Sequence, residues 1–464
     1  MDDTIKKALR DIVGAQDYTD ALIDLVSYSY DASQQRGRPD AAVWVEDKEQ
    51  ISAILKLANE HRVPVIPRGA GTGLSGMAVP AAGGIVLDMS RMNKILEIRI
   101  EDRLAVVQPG VVYNDLQNAL LPHGFLFPPD PASASVSTIG GNVSTNAGGL
   151  KGAKYGTTKD YVMGLEVVLA DGSILRTGSR CIKSVSGYDL TKLFVGSEGT
   201  LGVITEITLK IHPQPQARTT ALALFDTLED AGRAISEVMC SGILPSVLEL
   251  LDDESILVIN KATDLALPEV AAMILIETDG YTQNEADFQM DRVIEIFKAN
   301  NAEDVTRART AKEAERLWEA RRSFGGAVVR LSNQMVTEDI TVPLSRVPEV
   351  LIRTREIRER YNLLIPIMGH LGDGNLHPTI VFDVTNEEEK ARVEQAVVDI
   401  FALGIELGGT LTGEHGVGLD KAKFMHLEHN PVAMKVMNNI KNLFDPNNIL
   451  NPGKMGLRPT GGSD

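Results

Sequence analysis

A chain of 464 residues is long enough for two or three hydrophobic cores. With 43% hydrophobic and 23% charged residues it has the make-up of a globular protein, and no apolar run reaches the roughly 18 residues that a membrane-crossing helix needs. A net charge of −17 argues against a nucleic-acid surface, and two cysteines, Cys181 and Cys240, are too few to ligate an iron–sulfur cluster, so any redox chemistry needs an organic cofactor.

The N-terminus, Met-Asp-Asp-Thr-Ile-Lys-Lys, lacks the basic region and apolar stretch of a signal peptide. The expected location is therefore cytoplasmic, with any place on the inner membrane face reached through a partner. Residues 1–36 read as a helical lead-in, and residues 37–214 as the first large domain. Ala42–Val45 is a strand. Asp47 caps a helix that carries Ile51, Ile54, Leu55 and Ala58 on one face. Val63–Ile66 is a second strand and runs into a glycine loop. Ile85–Met89, Leu104–Gln108, Val162–Leu169 and Leu201–Ile211 are further strands. The break His212-Pro213-Gln-Pro215 marks a boundary. A second domain is expected over 215–420. There, strands at Thr219–Phe225 and Met273–Glu277 alternate with helices over Thr227–Ser241 and Glu285–Asn300. A helix is expected over Ala311–Val329, strands over Leu363–Met368 and Thr379–Phe382, and a helix over Glu387–Leu407. Residues 421–464 read as a helical segment and a turn-rich tail that returns to the first domain.

Two glycine-rich stretches stand out. Pro67-Arg68-Gly69-Ala-Gly71-Thr-Gly73-Leu-Ser-Gly76 contains G-x-G-x-x-G after a strand, but Pro80 and Gly83-Gly84 lead on to another strand where a dinucleotide fold of the Rossmann kind would place a helix. A nest of backbone N–H groups that wraps phosphates fits better than that fingerprint. Residues 130–149 pack small residues, hydroxyls and amides together, a surface on which a flat ligand can approach the backbone. Tyr155-Gly-Thr-Thr and Ser197-Glu-Gly199-Thr-Leu-Gly202 continue the theme. Four such loops within 140 residues point to a long cofactor.

Near the C-terminus, His370-Leu-Gly-Asp-Gly-Asn-Leu-His377 and Gly413-Glu414-His415-Gly416-Val-Gly418 gather three of the eight histidines. A hairpin with its turn at Gly372–Asn375 would bring His370 and His377 together. Two imidazoles and the Glu414 carboxylate suit zinc with one open position, and manganese or iron would also accept them. His415 is then left over as a base. The spacing is not that of a helical H-E-x-x-H zinc site. His61, His123, His212, His426 and His429 lack this clustering and read as ordinary packed or surface residues.

Along nearly its whole length the chain resembles the vanillyl-alcohol oxidase / p-cresol methylhydroxylase flavoprotein superfamily. Within it, the likeness is to the FAD-linked 2-hydroxyacid dehydrogenases: D-lactate dehydrogenase, the FAD subunit of glycolate oxidase, and D-2-hydroxyglutarate dehydrogenase. The resemblance implies an α+β fold, with a two-part FAD-binding domain and an α+β substrate (cap) domain built on an antiparallel sheet. It implies FAD contacts at Arg68, Gly69, Ala70, Gly71, Thr72, Gly73, Leu74 and Ser75 in the first loop. In the second stretch it implies them at Pro131, Ser137, Thr138, Gly140, Gly141, Asn142, Ser144, Thr145, Asn146 and Gly149. Tyr155, Gly156, Glu198, Gly202, Ile204 and Asn451 complete the set. The first loop has no histidine, so noncovalent FAD is expected. The family's H-x-G-D-G-N-x-H and E-H-G-x-G motifs are intact, which implies metal ligands at His370, His377 and Glu414 and a catalytic base at His415.

A 2-hydroxyacid also needs a cation for its carboxylate, and the resemblance implies Arg321, with Arg322 the lesser candidate. Where the hydroxyglutarate branch carries a polar residue and a lysine, this chain has Gly325 and Thr337, which disfavours a dicarboxylate. The leading expectation is metal-dependent oxidation of a D-2-hydroxy monocarboxylate, D-lactate or glycolate, with electrons passed to electron-transferring flavoprotein, an iron–sulfur subunit, a cytochrome or a quinone. The alternatives are D-2-hydroxyglutarate dehydrogenase, a zinc hydrolase with structural glycine loops, and a flavin-bearing relay or scaffold subunit without its own substrate.

Overall fold

The computed structural model describes residues 1–457, and the last residues of the expected tail, 458–464, lie outside them. Two compact units are present. The first comprises Met1–Gly148, Thr157–Gln214 and the chain from Glu414 onward; the second comprises Gly149–Gly156 and Pro215–Gly413.

The first unit holds two larger sheets among the described residues. In one, Ala41–Trp44, Ile85–Asp88 and Val65–Arg68 run parallel in that order, and Tyr18–Thr19 pairs antiparallel at the edge. Parallel strands need crossovers, and the helix Lys48–His61 supplies the first. Asp47 caps it by accepting from the Gln50 N–H, and Ile51, Ile54, Leu55 and Ala58 are buried, as the periodicity predicts. That face packs with Ile5, Leu9 and Val13 of the first helix over the sheet. The other sheet is antiparallel, in the order Ile95–Arg99, Leu104–Val107, Val203–Lys210, Val162–Val168, Ile174–Gly178. Its core gathers Tyr113, Leu116, Phe127, Ile139, Val143 and Phe194.

Within the first sheet, no helix follows the glycine loop after Val65–Arg68 before the strand at Ile85, as expected. The second glycine stretch contains a short helix, Ile139–Thr145, which the sequence pattern did not single out. Thr138 caps it and Asn146 ends it in the left-handed conformation. Gly140 lies within that helix against Pro109; a Cβ there would stand 2.4 Å from Pro109 Cβ. Close packing therefore outweighs the poor helix propensity of two adjacent glycines.

The second unit is built on one antiparallel sheet, ordered Asp304–Arg307, Ala217–Phe225, Ala272–Gly280, Val247–Asp252, Ile367–His370, Asn375–Phe382, Gln334–Thr337, with Ile340–Thr341 also on Asn375–Phe382. Helices Asp253–Ala262 and Ala311–Leu331 supply Ile256, Val258, Ala320, Phe324 and Val328 to its core, with Leu251 and Met273 from the strands. The α+β architecture is the expected one.

Two short segments fall on the other side from the expected domain limits. Glu414–Asp420, expected with the second domain, belongs to the first unit, where Ser75 and Glu198 bind its backbone. Gly149–Gly156, expected with the first, belongs to the second, where Lys154 and Tyr155 bond to Asp279.

Candidate active site

The first unit contains a cavity of about 430 Å3, within the size range of cofactor and ligand pockets. Both glycine-rich stretches line it. Arg68, Gly69, Ala70, Gly71, Thr72, Gly73 and Leu74 come from the first, and Pro131, Ser137, Thr138, Gly140, Gly141, Asn142, Ser144 and Thr145 from the second. Glu198, Gly202, Ile204 and Asn451 complete the expected set that reaches it, and Glu414 and His415 line it too. Met77, Met89, Pro109 and Val203 add apolar wall that the sequence did not single out.

Three buried polar atoms in this wall have no hydrogen-bond partner in the protein: Ser137 Oγ, Asn142 Nδ2 and Asn451 Oδ1. Leaving such an atom unsatisfied costs roughly 1–3 kcal/mol. The wall is thus shaped for a guest with both donors and acceptors, and a flavin dinucleotide offers both. The residues present fit FAD.

The second histidine motif is fastened to this cavity by its own backbone. Ser75 Oγ donates to the Gly416 carbonyl at 2.9 Å and to that of His415 at 3.2 Å, and the Ser75 carbonyl accepts from the Leu419 N–H at 2.8 Å. Gly418 must be glycine: its φ is +51°, and a Cβ would lie 1.9 Å from the Ser75 carbonyl oxygen. From the other side, Glu198 accepts from the N–H groups of Val417 and Gly418 at 2.7 and 2.8 Å. Burial raises the Glu198 carboxyl to about 7, against the pull of those two N–H groups and of Lys454 and Lys421. Lys454 is itself lowered to about 8 by burial. His415 Nε2 lies 3.9 Å from Glu414 Oε1.

The second unit contains the other motif. The hairpin forms, with Met368 opposite His377 and His370 opposite Asn375. The two imidazoles stand 5.1 Å apart, centre to centre, with planes at 78°. The first strand begins at Ile367, later than the expected Leu363, because Pro366 has no N–H for the ladder. The Leu364 and Pro366 carbonyls still accept from Val381 and Thr379.

Each imidazole turns Nδ1 toward a buried carboxylate. His370 Nδ1 hydrogen-bonds Glu249, and His377 Nδ1 lies 3.6 Å from Asp339 Oδ1. Asp339 is held in turn by Asn375 Nδ2 at 2.7 Å and Thr412 Oγ1 at 2.6 Å. Metal-binding histidines commonly have this arrangement, because it directs Nε2 to the ion. The donor set on this unit therefore fits a divalent metal. Arg321, from the helix Ala311–Leu331, donates from Nε to Glu249 Oε2 at 2.7 Å. Burial opposes charge on Glu249, but His370 and Arg321 outweigh it and hold the carboxyl below its ordinary value. Arg322 is instead largely exposed and pairs with Glu315 at 3.0 Å.

Five expected FAD residues do not line the cavity. Ser75 is spent on the His415 loop, and Asn146 caps a helix and bonds Lys159. Gly149, Tyr155 and Gly156 belong to the second unit, with the Tyr155 hydroxyl on Asp279 at 2.6 Å. A Cβ at Gly325 would meet open space, and Thr337 Oγ1 pairs with Thr379 Oγ1 at 3.2 Å. Sequence reasoning missed Glu249 and Asp339. A signal for Glu249 was there: one charge inside the apolar strand Val247-Leu-Glu-Leu-Leu251.

Comparison with known proteins agrees with this geometry. Residues 39–178 match the family described as FAD binding domain, and residues 214–455 that described as FAD linked oxidases, C-terminal domain. The chain is 46% identical over 453 residues to the glycolate oxidase subunit GlcD of Bacillus subtilis (strain 168), covering 97% of this chain and 96% of that one. It is 35% identical over 431 residues to D-lactate dehydrogenase of Anaerostipes hadrus, covering 90% of each. In fold it is similar to p-cresol methylhydroxylase, with a TM-score of 0.79 at 20% identity over 98% of this chain and 96% of that one.

Proposed function

The chain belongs to the FAD-linked oxidases of the vanillyl-alcohol oxidase / p-cresol methylhydroxylase type, and from that premise we propose that it oxidises a D-2-hydroxy monocarboxylate, of the D-lactate or glycolate kind, to the 2-oxoacid. The observation that carries this reading is the cavity of the first unit, which both glycine-rich stretches line together with Glu414 and His415. A group that binds in it lies beside an acid–base residue.

FAD, when bound, supplies a hydride acceptor. A divalent metal, when bound, supplies Lewis acidity toward an alcohol. His370, His377 and Glu414 are its proposed ligands. Arg321 pairs with the substrate carboxylate through its terminal nitrogens. His415 takes the hydroxyl proton at an imidazole nitrogen, the kind of side chain most often used as a base near neutral pH. The substrate thus loses one proton and one hydride. The electrons pass on to a partner flavoprotein, an iron–sulfur subunit, a cytochrome or a quinone. Gly325 and Thr337 offer no cation for a second carboxylate, which favours a monocarboxylate over 2-hydroxyglutarate.

Anaerobic mixing of the metal-replete flavoprotein with a panel of D- and L-2-hydroxyacids tests the reading. Loss of absorbance near 450 nm with D-lactate or glycolate, and little with D-2-hydroxyglutarate, is expected. A yellow protein that no hydroxyacid bleaches would make it a relay or scaffold subunit instead.

A further inference from the structure

We propose that Glu249 is a positioning residue shared by the metal and the substrate: one carboxylate that orients a metal-binding imidazole with one oxygen and the carboxylate-binding guanidinium with the other. The inference rests on the reading above for His370 and Arg321.

Glu249 sits mid-strand in Val247–Asp252, directly opposite His370 on the neighbouring strand. Side chains at paired positions of adjacent antiparallel strands lie on the same face and within contact distance. Oε1 meets His370 Nδ1, and Oε2 meets Arg321 Nε. The residue is 1% exposed, and its strand neighbours Val247, Leu248, Leu250 and Leu251 are apolar. Apolar side chains surround the contact with Arg321, among them Leu222, Leu251, Met273 and Leu317. A carboxylate in such a place is costly unless its partners compensate it. Here both partners are residues to which the reaction assigns work.

Each contact fixes one property. An acceptor at Nδ1 holds the His370 proton there, so Nε2 keeps its lone pair for an ion. The Arg321 contact uses Nε and leaves the planar end of the guanidinium to grip a carboxylate in a set orientation. Loss of the Glu249 charge therefore has two effects. The His370 ring is no longer fixed in tautomer and rotation, and Arg321 is no longer fixed in direction.

The test uses the full-length flavoprotein and reads metal affinity separately from turnover. Glu249→Gln keeps the shape but cannot accept from both partners. Its affinity for Zn2+ or Mn2+, measured by competition with a chromogenic chelator, is expected to fall about 10- to 100-fold. With saturating metal, KM for the best hydroxyacid is expected to rise at least several-fold. Arg321→Lys is the second variant, and it serves even if Glu249→Gln does not fold. Arg321 is no metal ligand, yet losing its Nε contact is expected to weaken metal binding as well. Metal affinity unchanged in both variants, or only one of the two quantities altered in Glu249→Gln, overturns the shared role. His370→Ala separates this from the underlying reading: metal retained in that variant sinks the ligand assignment itself.

Discussion

Glu198 shows how one buried side chain fixes a functional loop. Its carboxylate takes two backbone N–H groups from the segment that follows His415, and it lies in the wall of the cavity. The cost is a carboxyl raised from 4.5 to about 7. A folded-state pKa above the unfolded value means the folded protein holds the proton more tightly. The group's contribution to stability is then fully present below about pH 4.5 and is lost as pH rises through 7, by about 3 kcal/mol. Glu198→Gln should abolish that dependence. Urea unfolding at pH 5 and pH 7.5 should show the variant gaining on the wild type as pH rises. Parallel curves would show that Glu198 does not titrate in this window.

At the level of elements, the hairpin from Ile367 to Phe382 and the helix Ile139–Thr145 do different work. The hairpin is a register device. Its turn sets His370 and His377 on adjacent strands, and the next strand brings Glu249 opposite His370. The short helix is a spacing device, because Gly140 lets it lie against Pro109 at a distance no side chain permits. Gly140→Ala is expected to cost about 1–3 kcal/mol by overpacking and to loosen FAD retention, measured by denaturant unfolding and by flavin released on gel filtration. Wild-type stability with full flavin content would mean the contact yields without strain. The hairpin was legible because glycine, asparagine and aspartate mark turns. The helix was not, because its residues have low helix propensity and its support is tertiary: Ile139 and Val143 in the core and Gly140 against Pro109.

For the whole molecule, the first unit holds a cavity for a large planar cofactor and the second a sheet that carries imidazoles, carboxylates and a guanidinium. The proposed function gives metal and flavin different roles, so the loss of each can be read separately. Prolonged dialysis against a strong chelator is expected to abolish reduction by hydroxyacid while the 450 nm band persists, and Zn2+ or Mn2+ should restore the activity. Undiminished reduction after complete metal removal would take the ion out of the reaction.

By itself the sequence determined the flavin cofactor and the α+β architecture, and it singled out the histidines, the glutamate and the arginine on which the proposed chemistry rests. Glycine loops, histidine spacing and hydrophobic periodicity are local properties, and local properties are readable from order alone. Only the tertiary structure decided how those residues are supported. Glu249 and His370 are 121 positions apart in sequence, and Glu249 and Arg321 are 72 apart. Glu198 reaches Val417 across 219. Such pairs come from sheet order and helix packing, which depend on many weak contacts acting together, and no local pattern records them. The same cause explains why the bonds that Ser75 and Tyr155 make to a backbone loop and to a carboxylate were not legible in the sequence.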